Sequence, residues 1–183
     1  KINVVCAANQ IGKSSVAIRR VIANATEPKR WKRLWKMDKA PSMSWYFYPD
    51  QETKGREFET KWREGLPSGT MENDPQYGGG GMPRTAGTKL PGIKFNSGAN
   101  LFFMTYSQDA KAMQASTVYE ITADEELPLH LYDELIMRLT RTRGFFNAVF
   151  TPTLNQAFWR EVFETNRRLP LAFKRQVSMY DCL

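Results

Sequence analysis

Residue types that carry metal and redox chemistry are scarce in this 183-residue chain. The two cysteines, Cys6 and Cys182, lie far apart and have neither the spacing of a metal site nor that of a disulfide framework. The one histidine, His130, is expected to lie on the surface of a helix rather than to act as a base. The cysteine usage favours a reducing, intracellular setting over that of a disulfide-stabilised secreted protein.

Long hydrophobic runs are also absent. A membrane-spanning helix needs about 20 consecutive apolar residues, and no stretch approaches that length. We also expect no signal peptide before the first apolar run. Hydrophobic residues make up 42% of the chain and charged residues 25%, which is typical of a soluble globular domain. The composition therefore predicts no membrane partner.

Acidic residues are fewer than basic ones, 19 against 26, and the formal net charge is +7. This balance favours a polyanionic partner such as nucleic acid, although many intracellular domains are mildly basic. The densest basic segment, PKRWKRLWK, contains Trp31 and Trp35 four residues apart. We expect these tryptophans to anchor a helix to the core while its charges face water. The alternative is that the segment touches DNA phosphates.

Short apolar runs alternate with helical patterns along the chain. INVVC, SMSWYFY, VYEITAD and FFNAVF predict strands, and IKFNSGANLFFMTY predicts a β-hairpin. The apolar residues of the intervening segments recur at helical spacing. We therefore predict one α/β domain over residues 1–183, with a central, mostly parallel sheet flanked by helices and an inserted hairpin. Residues 65–92 are rich in glycine and proline and are predicted to form one long flexible loop.

The segment CAANQIGKSS lies between the first predicted strand and the first predicted helix. It keeps the Gly-Lys-Ser end of the phosphate-loop pattern G-x-x-x-x-G-K-[ST], with Ala7 in place of the first glycine. Backbone N–H groups at such a helix start bind phosphate, the lysine attracts the β and γ oxygens, and the hydroxyl ligates Mg²⁺. The alternative is a helix start without a ligand. The predicted nucleotide-binding residues are Ala8, Asn9, Gln10, Ile11, Gly12, Lys13, Ser14 and Ser15.

A second predicted strand ends in acidic residues, in VYEITADEE. Asp124 is expected to hold Mg²⁺ together with Ser14, and Glu125 to orient and deprotonate the attacking water. Lys13 and Glu125 are therefore the predicted catalytic residues of an ATP-hydrolysing site. An Asp-Glu pair at a strand end is typical of P-loop NTPases with an additional catalytic glutamate, and we assign the chain to that class. The alternative is an acidic strand end that only stabilises the following helix.

Another predicted strand ends in FFNAVFTPT and carries hydroxyl groups at its tip. Thr151, Pro152 and Thr153 are expected to lie beside the γ-phosphate end of the site. A threonine there would sense the γ-phosphate and pass that information to the next helix. The alternative is an ordinary turn at the end of a strand.

In this order, AANQIGKSS, TADEELPLHLYDELIMRLTRTRG and VFTPT resemble the ATPase domain of the large terminase subunit of tailed phages. The resemblance covers about Ile2 to Phe158. It implies a magnesium-dependent ATPase that drives double-stranded DNA into a procapsid and uses residues 151–153 as its coupling motif. It also implies a homo-oligomeric ring on a portal protein, a small terminase subunit as partner, and a location in the host cell cytoplasm.

The chain departs from that family at Asn9, where some members carry an arginine. An arginine finger would then have to come from elsewhere, for example from a neighbouring subunit in a ring. Arg138, Arg141 and Arg143 are candidates by charge alone; solvated helix arginines are the alternative. The nuclease domain of the family is not expected in this chain, which has too few acids after Phe158 for a two-metal site. Two other functions are compatible with the sequence: a helicase-type nucleic-acid-dependent ATPase, and a nucleotide-gated binding module with little turnover.

Overall fold

A computed structural model describes residues 1–8, 11–67, 91–107, 117–151, 158 and 160–161, and the backbone of residues 173–177. Most of the predicted loop over 65–92 lies outside these ranges, as do four predicted site residues. Those residues are Asn9, Gln10, Pro152 and Thr153.

Strands and helices alternate along the described chain, as the apolar pattern predicts. The strands are β1 (Ile2–Ala7), β2 (Met43–Tyr48), β3 (Gly92–Lys94), β4 (Asn100–Thr105), β5 (Glu120–Asp124), β6 (Phe145–Phe150) and β7 (Phe173–Val177). The helices are α1 (Lys13–Thr26), α2 (Pro28–Trp35), α3 (Gln51–Glu57), α4 (Arg63–Gly65) and α5 (Leu129–Thr140), with a π turn (Phe58–Trp62) that joins α3 to α4.

The strands form one seven-stranded sheet in the order β3-β4-β2-β5-β6-β1-β7. Every neighbouring pair is parallel except β3 and β4, which form the predicted hairpin. The prediction of an α/β domain with a mostly parallel sheet and an inserted hairpin is thus confirmed. Because β6 lies between β1 and β5, the carboxyl ends of these three parallel strands meet at one edge of the sheet.

Both faces of the sheet are covered by apolar side chains. The α5 helix packs on one face through Leu131, Leu135 and Leu139, whereas α1 and the π turn cover the other face. Residues of β2 alternate between the two faces, with Trp45 in the first cluster and Tyr46 in the second. Burial on both faces explains why the strands are nearly continuous apolar runs rather than alternating ones. No helix in the described ranges combines the length and apolar character needed to cross a bilayer.

The basic helix α2 is held by its tryptophans. Trp31 is buried, and its indole N–H donates a 2.7 Å hydrogen bond to the carbonyl of Asn24. The Trp35 ring packs edge-on against Phe145, with centroids 5.4 Å apart. Several of the basic residues between and beside them are exposed. The expectation of a helix anchored by its two tryptophans, with charges facing water, is confirmed.

The glycine that follows α5 is required by close packing. A Cβ at Gly144 would lie 2.5 Å from the carbonyl oxygen of Tyr119 and 2.7 Å from a methyl group of Leu139. We expect Gly144→Ala to lower the free energy of unfolding by about 2 kcal/mol or more, because the neighbouring backbone must shift. Urea unfolding followed by circular dichroism measures this effect.

The matched control is Gly55→Ala within α3, where a Cβ would meet no atom within 4 Å. Alanine loses less backbone entropy than glycine in a helix, so this variant is expected to gain about 0.5–1 kcal/mol. Equal effects of the two substitutions would show that packing at Gly144 does not matter.

Candidate functional site

A cleft of about 570 Å³ opens at the carboxyl edge of the sheet. In α/β sheets this edge is the usual location of ligand sites. Three segments form most of its wall: residues 12–15 at the start of α1, one face of α3 and the π turn, and the end of β5. The predicted site residues of the first and last segments therefore face a common space.

The turn between β1 and α1 ends in a left-handed glycine. Gly12 is the N-cap of α1 with a φ of 82°, a conformation that glycine adopts without strain. Among the described residues, no side chain caps the first N–H groups of α1 and its first turn carries no acidic residue. Ala8 and Ile11, which flank the turn, are half-buried. The helix start therefore presents free backbone donors and a positive dipole end to the cleft.

Ser14 and Asp124 are in direct contact although they lie 110 positions apart. The Ser14 hydroxyl donates a 3.0 Å hydrogen bond to Oδ1 of Asp124. The other oxygen, Oδ2, accepts a 2.8 Å hydrogen bond from the buried Tyr46 hydroxyl. Asp124 is 3% exposed, so its carboxylate is held by two hydroxyl donors at the floor of the cleft.

Lys13, Glu125 and Thr151 form a second group beside this pair. The Lys13 ammonium donates a 2.6 Å hydrogen bond to the Thr151 hydroxyl and lies 3.8 Å from Oε1 of Glu125. The Thr151 backbone N–H is 3.4 Å from Oε2 of the same carboxylate. The Lys13 side chain is 8% exposed and that of Glu125 40% exposed, so water reaches the carboxylate more readily than the ammonium.

The backbone of Glu125 adopts a left-handed conformation, with a φ of 73°. Non-glycine residues in this region are uncommon, carry strain, and cluster at functional sites. The Glu125 N–H donates a 2.8 Å hydrogen bond to the Val149 carbonyl. The Tyr106 hydroxyl lies 2.9 Å from the carbonyl oxygens of both Asp124 and Glu125. These contacts hold the strained turn and direct the Glu125 side chain toward Lys13.

Burial raises the pKa of Asp124 to about 6. The hydrogen bonds from Tyr46 and Ser14 lower this pKa, whereas the nearby negative charges of Glu125 and Glu57 raise it further. Burial also raises the pKa of the Tyr46 and Tyr106 hydroxyls well above the usual value, so both remain hydrogen-bond donors at neutral pH. A buried carboxylate with a raised pKa gains most from a cation placed beside it.

The three candidate arginine-finger residues lie away from the cleft. Arg138 pairs with Glu134 on α5 at 3.1 Å. Arg141 and Arg143 are exposed beyond the C-terminal end of that helix, where the Thr142 hydroxyl bonds to the Val118 carbonyl at the amino edge of the sheet. These arginines therefore do not reach the site of their own chain. His130 is exposed on α5, as predicted, and is not part of the cleft wall.

Several cleft residues were not predicted from the sequence. They are Thr53, Arg56, Glu57 and Lys61. The sequence also did not predict that Tyr46 and Tyr106 bond to Asp124 and Glu125 from behind the cleft wall. The aromatic strand SMSWYFYP indicates a buried strand but does not indicate that one hydroxyl meets Asp124. Within the described residues, no group of three or more His, Cys, Asp or Glu side chains forms a metal site of its own.

Comparisons with protein-family models, with curated proteins and with solved structures found no match to this chain. The function therefore has to be inferred from the geometry of the cleft and from the sequence motifs that line it.

Proposed function

We propose that the chain is a magnesium-dependent ATPase domain of the P-loop type with an additional catalytic glutamate. One observation carries the proposal: Lys13 and Ser14 at the start of α1 contact Asp124, Glu125 and Thr151 at the ends of two other strands. A Gly-Lys-Ser sequence that occurred by chance would have no reason to lie beside an acidic strand end. The cleft volume of about 570 Å³ is also in the range of small-molecule sites.

The start of α1 supports the binding of a triphosphate. Its uncapped N–H groups and positive dipole end attract anions, and Gly12 permits close approach of the backbone. Lys13 adds a cation to the same wall. A phosphate bound there would compete with Thr151 and Glu125 for the Lys13 ammonium. Nucleotide binding would thereby change the contacts of Thr151, which supports a coupling role for the predicted motif.

Ser14 and Asp124 fit the requirements of Mg²⁺. The ion prefers oxygen ligands at about 2.0–2.1 Å in octahedral geometry, so neighbouring ligands lie about 2.9 Å apart. The observed separation of the two oxygens is 3.0 Å. The ion also binds typically through one or two carboxylates plus substrate phosphates, which agrees with a site that contains a single buried aspartate. When bound, Mg²⁺ would neutralise charge on the phosphate oxygens.

Glu125 is the proposed general base. Its side chain is 40% exposed at the cleft and lies at the tip of a strained turn. In the proposed reaction a water oxygen attacks the γ-phosphorus, its proton passes to the Glu125 carboxylate, and ADP leaves. Lys13 stabilises the charge that develops on the phosphate oxygens. The products are ADP and inorganic phosphate.

We further propose that this ATPase drives double-stranded DNA into a procapsid, as in the large terminase subunits that the sequence motifs resemble. The support is the order of the three motifs along the chain, the contact between Lys13 and Thr151, and the net charge of +7. The same resemblance suggests a homo-oligomeric ring on a portal protein, a small terminase subunit as partner, and action in the host cell cytoplasm.

Phosphate release tests this proposal directly. We expect magnesium-dependent hydrolysis of ATP that double-stranded DNA stimulates more than single-stranded DNA or heparin does. Lys13→Ala is expected to lose turnover, because the cation at the phosphates is removed. Equal stimulation by single-stranded DNA would favour a helicase-type ATPase. Magnesium-dependent nucleotide binding without phosphate release would favour a nucleotide-gated module, and absence of nucleotide binding would overturn the assignment.

A further inference from the structure

The wall of the cleft that α3 and the π turn form carries two cations that have no role in the reaction described so far. Arg56 and Lys61 both line the cleft, on α3 and on the π turn that follows it. Lys61 forms an ion pair with Glu57, so its charge is already compensated. Arg56 is exposed, and no carboxylate in the described ranges forms an ion pair with it. The backbone hydrogen bond from Thr53 and, to a smaller extent, the charge of Arg56 lower the pKa of nearby Asp50. Among the described residues, however, the Arg56 guanidinium has no ion-pair partner and is available to a ligand.

The position of Arg56 is set by the fold rather than by a flexible loop. The α3 helix begins directly after β2, which pairs with β5, and Asp50 caps it by accepting a 2.7 Å hydrogen bond from the Thr53 N–H. The π turn that follows is anchored by fully buried Phe58 and Trp62. Because both ends of α3 are fixed, the backbone at Arg56 is held at the mouth of the cleft.

The helical spacing directs several α3 side chains to one face. Thr53, Arg56 and Glu57 lie three and four positions apart, so they share the face that lines the cleft. Lys61 continues this face one turn further. Arg56 thus lines the same cleft as Lys13 and Glu125, from a different segment of the chain.

A guanidinium group suits this position chemically. Arginine is always charged, and its planar fork of donors binds phosphate oxygens in pairs. The turn between β1 and α1 reads AANQIG and contains no arginine. We propose that Arg56 contacts the terminal phosphate of a nucleotide bound in the same chain and stabilises its charge in the transition state. This inference depends on the proposed ATPase function and assigns the site its catalytic arginine in cis.

Steady-state kinetics of variants that lack the Arg56 guanidinium test its proposed role in catalysis. Arg56→Ala is expected to lower kcat for ATP hydrolysis about 10²-fold with little change in KM, since the contact is made mainly in the transition state. Arg56→Lys keeps the positive charge but loses the paired donors of the guanidinium. Its kcat is expected to lie between those of the wild type and Arg56→Ala. The control is Arg33→Ala, an exposed residue of α2 outside the cleft, which should leave kcat unchanged. Unchanged kcat in Arg56→Ala, or a rise in KM alone, would overturn the catalytic role.

Mixing two inactive variants separates action within a chain from action between chains. Lys13→Ala chains keep Arg56, so they would restore activity to Arg56→Ala chains if the arginine acted on a neighbouring site. We expect no restoration, and a wild-type rate per chain that does not depend on protein concentration. Restored activity would overturn the assignment in cis. A wild-type protein without turnover would instead overturn the proposed function itself, and the inference with it.

Discussion

Glu125→Gln is expected to lower the rate of ATP hydrolysis by a factor of between about 10² and 10⁴ while nucleotide binding persists. Glutamine has the size of glutamate, and its amide oxygen can still accept from the Thr151 N–H, which lies 3.4 Å from the carboxylate. It cannot take a proton from water at neutral pH. The substitution therefore removes the proposed general base and leaves Lys13 and the start of α1 in place.

Two measurements on the same preparation test this expectation. Phosphate release at saturating ATP reports turnover, and the fluorescence of a labelled ATP analogue reports binding. The matched control is Glu126→Gln, which removes the same charge one residue further along and should keep most of the activity. Wild-type turnover in Glu125→Gln would contradict the role of general base and favour a nucleotide-gated binding module.

Asp124→Asn is expected to have opposite effects on stability and on function. The Asp124 carboxylate is buried, and burial raises its pKa to about 6. At neutral pH the folded protein therefore contains a costly ionised group. Its replacement by a neutral amide of the same shape should raise the free energy of unfolding by about 1–3 kcal/mol in the absence of Mg²⁺. The same substitution removes the proposed metal ligand and should abolish magnesium-dependent stabilisation by ATP.

The raised pKa of Asp124 fixes the direction in which the stability of the protein changes with pH. A carboxyl group whose pKa is higher in the folded state binds more protons there than in the unfolded state, here between about pH 4 and pH 6. Stability of the metal-free wild type should therefore fall as pH rises through this interval. The pKa of the fully buried Glu120 is also raised by burial, and it contributes a change of the same sign. Among the described carboxyl groups, Asp124→Asn leaves Glu120 as the one with a raised pKa, so the decline should be shallower.

Thermal unfolding in EDTA, and again with Mg²⁺ and ATP, checks both effects. The control is Asp38→Asn, because the Asp38 side chain is 92% exposed and pairs only at the surface with Lys32. That variant should change stability little and should keep the stabilisation by magnesium and ATP. A lower melting temperature for metal-free Asp124→Asn would contradict the proposed cost of the buried charge.

Local sequence patterns were sufficient to predict much of the fold. The strands around Cys6, Tyr46 and Phe146 are continuous apolar runs of the kind buried in a parallel sheet, and each was predicted. The stripe that includes Leu135 and Leu139 correctly predicted the buried face of α5. These features depend on residues within a few positions of one another, where the spacing of side chains on a helix or strand is set by backbone geometry.

Contacts between distant strands required the tertiary structure. Tyr46 and Tyr106 belong to β2 and to the end of β4, and only the pairing of these strands with their neighbours brings their hydroxyls to Asp124 and Glu125. The candidates Arg138, Arg141 and Arg143 rested on charge alone, which carries no information about where a side chain lies relative to the cleft of its own chain. Arg141 and Arg143 follow the 12 residues of α5, about 18 Å along the helix axis from its start, and Arg138 lies in its last turn.

By itself, the sequence determined an α/β chain with a glycine-lysine-serine turn after one strand and a pair of acids after another, because each feature is local. Only the tertiary structure decided that these two ends meet, that Thr151 joins them, and that Arg56 lines the same cleft. The reason is that β6 lies between β1 and β5, and its pairing with β1 joins segments more than a hundred residues apart.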